Sequence, residues 1–284
     1  MEPRELFHRP TRKASGTNKE KKLLGIDPSL AFTPLTYGLI TNAFPHNFLI
    51  KSDSLKGNTA ALREGELEIS LISSLAYALK KETWRIVPEI CLASAGKVGH
   101  VQLFFKKGLK DIRTVAVDSS AASEETLLRI LMREKFFQSP DYIYMTADLP
   151  AMLDKAEAAL ITGDQALTYA GRYTSRLDLN EEWVDLTGLP FVYAFWAGRE
   201  FTVSADDLKN VHTSYEIGKL NLETIARNVS EAGTHTWAFY HDYLTKNLTY
   251  NFSDEEKEGL LEFYQYAFFY GYTEFIPDLH FYDP

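Results

Sequence analysis

Three stretches carry polar residues spaced for chemistry. Ser73-Ser74 stands between an apolar strand pattern, Leu67–Ile72, and a helical pattern reaching about Lys81. Asp118-Ser119-Ser120-Ala121-Ala122-Ser123 follows a short buried strand, Thr114–Val117. It opens a helix from about Ser123 to Phe136 that places Leu127, Leu128, Ile130, Leu131 and Met132 largely on one side. The first N–H groups of a helix have no partner, and the helix dipole is positive there, so both stretches are ready anion sites. Each serine also suits a plain N-cap. Gly163-Asp164 follows the strand Ala158–Ile161, and its carboxylate either meets a ligand hydroxyl or caps the helix that follows. Metal chemistry has little to work with. Cys91 is the lone cysteine, which excludes a disulfide framework and a thiolate cage. Histidines 8, 46, 212, 235, 241 and 280 lack ligand spacing, and the six residues from His235 to His241 do not share a helix face.

The elements that position these residues read as an α/β chain. Further strands are expected at Leu23–Ile26, Trp84–Ile90, Val101–Phe105, Tyr142–Met145 and Phe191–Trp196. A short helix is expected at Asn58–Arg63 with Asn58 as N-cap, and another after Asp148 with Pro150 in its first turn. From about Val203 the pattern is helical to the end, with Ser253-x-x-Glu256 as a capping box before a last helix reaching about Tyr270. Alternating strands and helices predict parallel sheets. The length of 284 residues predicts one or two domains. Two buried strands bracket a middle block, so the chain is expected to visit a second lobe once and return. The lobes are 23–98 plus 199–284, and 99–198, after a flexible basic tail over 1–22. A ligand cleft then lies between two hinged lobes.

The net charge of −9 disfavours nucleic acid. No apolar run approaches the ~18 residues of a membrane span. The N-terminus has no secretory pattern, which predicts a cytoplasmic protein. The expected partner is a small dicarboxylate, with a homodimer left open, and neither nucleic acid nor a membrane.

Five segments carry a resemblance: PLTYGL (34–39), LREGELEISLISSLAYA (62–78), SAGKVGHVQLFFKK (94–107), LITGDQAL (160–167) and DLNEEWVDLTGLPFVYAFWAGRE (178–200). Together they resemble the chorismate dehydratases of futalosine-pathway menaquinone biosynthesis, over roughly residues 23 to 270. The resemblance implies a periplasmic-binding-protein-like type II fold in a cytoplasmic enzyme. It also implies dehydration of chorismate to 3-[(1-carboxyvinyl)oxy]benzoate, with no metal and no organic cofactor. For such a substrate the expected contacts are the helix-start serines Ser73, Ser74, Ser119, Ser120 and Ser123, with Lys97, and Asp164, which matches the family's G-D at a strand end facing the cleft.

The sequence departs from that family where polar contacts are expected. Ala31 stands at the position of the asparagine tied to catalysis, and alanine neither donates nor accepts a hydrogen bond. The S-R-T-S loop reads Ser120-Ala121-Ala122-Ser123, so an arginine clamp is missing. His100 occupies a frequent serine position. It is either a catalytic group able to shuttle a proton near neutral pH or an ordinary hinge-strand side chain. Lys97 either pairs with a carboxylate or is a solvated surface charge. Two functions follow: a lyase, or a non-catalytic or retuned binder of small carboxylates on the same fold.

Overall fold

The computed structural model describes residues 21–80 and 83–283. The expected tail falls outside that range except at its end, where a correction is needed. Lys22 opens the first strand, and its Nζ meets the Asp207 carboxylate and the Thr202 carbonyl. The chain runs β1 (Lys22–Ile26), α1 (Thr33–Ile40), β2 (Phe48–Ser52), α2 (Leu55–Glu64), β3 (Ile69–Ser73), α3 (Ser74–Ala78), β4 (Trp84–Ser94). It continues through β5 (Val101–Phe105), β6 (Thr114–Val117), α4 (Ala122–Glu134), β7 (Asp141–Tyr144), α5 (Leu149–Lys155), β8 (Ala158–Thr162), α6 (Gly163–Ala170), β9 (Arg176–Asp178) and α7 (Leu179–Thr187). It ends with β10 (Phe191–Arg199), α8 (Ala205–Leu220), α9 (Leu222–Ala232), α10 (Trp237–Asp242), β11 (Thr249–Phe252) and α11 (Asp254–Phe269).

Two sheets form, in the orders β11-β4-β10-β3-β1-β2 and β7-β6-β8-β5-β9. The expectation of parallel sheets is corrected: both are mixed. In the first, β1 pairs parallel with β2 and β3, while β10 runs antiparallel to β3 and β4. In the second, β6 pairs parallel with β7 and β8, while β5 runs antiparallel to β8 and β9. The strands that enter each sheet straight from the other one, β5 and β10, are reversed, and so is β11. Every residue of β10 except Arg199 is buried, as a central strand covered on both faces requires.

Other differences have local causes. α2 starts three residues before the expected Asn58, because Ser54 caps it by accepting from Gly57 N at 3.2 Å. Asn58 is buried inside that helix and donates to the Asp53 carbonyl at 3.1 Å. The helix after Ser74 stops at Ala78. The C-terminal stretch is not all helical, since β11 pairs antiparallel with β4. The capping box at Ser253 and Glu256 forms as expected.

The chain crosses between sheets at 95–100 and returns through α7. Asp178 and Asn180 tie these crossings together. The buried Asp178 carboxylate accepts from Gly99 N at 2.7 Å, Val98 N at 3.3 Å and Gln102 Nε2 at 2.6 Å. It also accepts from Asn180 N at 3.1 Å at the start of α7. Asn180 donates to the carbonyls of Ser94 at 3.0 Å and Gly96 at 2.5 Å, and accepts from the Tyr193 hydroxyl at 2.7 Å. On the outer side, α1 packs against α8 at backbone distance. A Cβ on Gly218 would sit 1.9 Å from the Pro34 carbonyl oxygen, and one on Gly38 would sit 2.7 Å from Ser214 Cα. Ser214 Oγ then bridges Leu35 O and Leu39 N.

Two outcomes are expected in urea unfolding. Gly218→Ala forces α1 away from α8 and destabilises the fold by about 1–3 kcal/mol. Asn180→Ala strips buried partners from two carbonyls and one hydroxyl and costs about 2–3 kcal/mol. A midpoint unchanged by either substitution refutes the corresponding packing account.

Candidate functional site

A cleft of about 460 Å³ opens between the two sheets. It sits at the C-terminal ends of β1, β3, β6 and β8, where α/β sheets leave helix starts and loops free to meet a ligand. The first sheet contributes Asp27, Ser29, Ala31 and Phe32 after β1, Lys56, Thr59 and Arg63 from α2, and Ser73 after β3. The second contributes Ser119 to Glu124 after β6, and Thr162 and Gly163 after β8. His100 and Tyr193 line it from the crossing segments.

Three hydrogen-bonded contacts span this cleft. Lys56 Nζ donates to Ser119 O at 3.3 Å, Leu75 N donates to Ser123 Oγ at 3.4 Å, and Leu30 N donates to both Asp164 oxygens at 3.3 Å.

Six of the expected site residues share the cleft: Ala31, Ser73, His100, Ser119, Ser120 and Ser123. Three others do not line it. Ser74 is fully buried, and its Oγ has no partner. Lys97 lines a separate hollow of about 260 Å³ beside Gln102, Arg176 and Tyr243. Asp164 faces Leu30 N, and burial raises its pKa against the pull of that N–H. Several serine hydroxyls serve local structure. Ser73 Oγ caps α3 by accepting from Ala76 N at 3.3 Å. Ser120 Oγ donates to Asp118 at 2.5 Å. Burial would raise the Asp118 pKa, but that hydroxyl and the N–H groups of Ser120 and Ala147 hold it below its usual value. No side chain caps α4, because Ala121 stands at its N-cap.

The expectation that His100 titrates near neutrality is corrected. Burial lowers its pKa to about 3, so the ring is neutral at pH 7. Its Nδ1 lies 2.9 Å from the Tyr243 hydroxyl, and its ring lies 4.9 Å from that of Tyr193.

Sequence reasoning missed Asp27, Lys56, Arg63, Glu124 and Tyr193. Lys56 and Arg63 are the cations of the wall, and Lys56 went unnoticed because α2 was expected to begin after it. Asp27 follows β1 directly and accepts from Ser29 N at 2.9 Å, Leu55 N at 3.1 Å and the Ser29 hydroxyl. Glu124 is one residue beyond the serine loop, in the first turn of α4. Burial raises its pKa to about 7, the nearby Asp27 carboxylate adds to the rise, and its own backbone N–H opposes it. The Tyr193 phenol is pushed well above its usual value, chiefly by burial. No helix among the described residues is long and apolar enough to cross a membrane.

Comparison with known proteins agrees with this arrangement. A chorismate dehydratase of Thermus thermophilus is 29% identical over 224 residues, covering 71% of this chain and 80% of the relative. Among solved structures, protein AF1704 of Archaeoglobus fulgidus aligns with a TM-score of 0.73 at 18% identity, over 90% of this chain and 99% of that one. The periplasmic aliphatic sulphonate binding protein SsuA of Escherichia coli gives 0.68 at 13% identity, over 94% and 93%. These likenesses, with the two mixed sheets, make the fold periplasmic-binding-protein-like. The sequence model of a family described as menaquinone biosynthesis matches residues 23–268, and the chain belongs to that family.

Proposed function

We propose that the protein is a lyase that dehydrates chorismate to 3-[(1-carboxyvinyl)oxy]benzoate in menaquinone biosynthesis, acting in the cytoplasm. One observation carries this reading. The loop holding Ala31 and the serine loop 119–123 come from opposite sheets and line one cleft with Lys56 and Arg63. A small dianion needs such a place in a chain of net charge −9. The volume of about 460 Å³ falls in the range of small-molecule sites. The first turn of α4 adds the positive end of the helix dipole for one carboxylate.

The chemistry asks mainly for position. Loss of the C3 proton and the C4 hydroxyl makes the ring aromatic, so the reaction runs downhill. A carboxylate of the substrate, held near C3, takes the proton. The cleft orients the diene, strengthens electrostatic contacts by excluding water, and keeps the leaving hydroxyl in line. Ser119 to Ser123, Lys56 and Arg63 hold the carboxylates in this reading. His100, neutral and hydrogen-bonded, is a wall that fixes Tyr193 and Tyr243.

A second reading has its own support. Ala31, Ala121 and Ala122 give the wall methyl groups where the related dehydratases carry polar contacts. On that basis the protein is a binder of small carboxylates, or an enzyme retuned for another one.

One set of measurements separates the two. Purified protein incubated with chorismate is expected to yield the aromatic enol ether by chromatography. Chorismate is also expected to raise the melting temperature, because a ligand that binds only the folded state stabilises it. Lys56→Met is expected to weaken that shift by about 1 kcal/mol of binding free energy, roughly the worth of a partly exposed charge contact. Product that appears only after Ala31→Asn and Ala121→Arg sinks the lyase reading and favours the binder.

A further inference from the structure

The missing asparagine leaves the departing hydroxyl without a partner from position 31. Another group in the same cleft is suited to that task. We propose that Glu124 is the general acid of the dehydration, giving its carboxyl proton to the C4 hydroxyl so that it leaves as water. This rests on the chorismate reading above.

The other groups in or beside the cleft are already engaged or keep their protons. From the β1–α1 loop comes Asp27, whose carboxylate already accepts three hydrogen bonds from Ser29 and Leu55. From α2 come Lys56, which binds the Ser119 carbonyl, and Arg63, whose guanidinium keeps its protons. From the crossings come His100, a neutral imidazole, and Tyr193, whose hydroxyl is given to Asn180. On α4 itself, Ser123 Oγ accepts from Leu75 N, and Glu125 is bound by Arg129 at 2.8 Å and the Tyr144 hydroxyl at 2.7 Å. Glu124 is left as the half-buried carboxyl that lines the cleft and takes its hydrogen bond from its own backbone N–H rather than from another residue's side chain. Its pKa, raised by burial beside Asp27, keeps a large fraction protonated near neutral pH. A general acid works best when its pKa lies near the working pH.

The step balances. The C3–H bond breaks and its electron pair becomes a ring double bond, while the proton passes to a substrate carboxylate. The C4–O bond breaks, its pair stays on oxygen, and the Glu124 proton completes water. Glu124 regains a proton from solvent as the products leave.

The test is the pH profile of kcat/KM on chorismate for wild type, Glu124→Gln and Glu124→Asp. For wild type, activity is expected to fall as pH rises through about 7, because the acid is then ionised. Glu124→Gln is expected to lose about 100-fold or more in kcat with KM little changed, and to lose that limb. Glu124→Asp is expected to keep a limb and recover part of the rate. A Glu124→Gln enzyme within about threefold of wild type, or one with the same limb, overturns the acid role alone. No product from wild type overturns the chorismate reading and this role together. Carbon-13 NMR of glutamate-labelled wild type covers the case of a misfolded variant. A Glu124 midpoint in the ordinary carboxylate range overturns the proposal.

Discussion

The two chain crossings must be buried without orphaning their backbone groups, and the Asp178–Asn180 pair meets that constraint. A buried carboxylate is costly unless it is well hydrogen-bonded. Asp178 has donors from both crossings, at Val98, Gly99 and Asn180, so its burial fastens one crossing to the other. Asn180 does the same for carbonyls at Ser94 and Gly96 and passes the fixation on to Tyr193 in the cleft. The bonds of this pair run from 2.5 to 3.3 Å, and the halves are also joined by the Tyr270 hydroxyl on Glu134 and by His235 on the Leu167 carbonyl at 2.9 Å. The pair is one of several fastenings between the halves, set where the chain itself crosses.

The place of that pair depends on which strands trade places. β5 enters the second sheet and β10 returns to the first, each antiparallel to its neighbours. The exchange threads the chain through the hinge twice and leaves the C-terminal strand ends of both sheets facing one hollow. Strand positions were legible in the sequence because β4, β5 and β10 are runs of apolar residues buried on both faces. Their direction was not, since periodicity carries no sign. β2 and β9 were missed for a different reason: they are edge strands only three to five residues long and only partly buried, so neither shows a clean pattern. β11 was hidden in a polar, aromatic stretch that pairs only because β4 runs beside it.

The site was legible where its residues sit on strand ends. Ser73, Ser119 to Ser123 and Gly163 follow strands read from hydrophobic runs, and the resemblance gave Ala31. The charges were not legible. Lys56 depends on where α2 begins, and Ser54 settles that by capping the helix earlier than Asn58 would. Arg63 reaches the cleft because α2 packs beside β3, which no local pattern encodes, and Asp27 because it follows β1 directly. The altered behaviour of His100 and Glu124 is a property of burial, so it comes only from the assembled cleft.

Small residues on the cleft wall are also part of the packing. Ala31 and Ala121 are each 4% exposed, and Ala31 belongs to the buried core, so a larger side chain at either requires its neighbours to give. Gly218 is tighter still, because the Pro34 backbone occupies the space a side chain needs. A fold shared with binding proteins sets where a cleft lies, while the chemistry depends on the groups that line it. In this wall, burial and the neighbouring Asp27 carboxylate raise the Glu124 pKa to about 7.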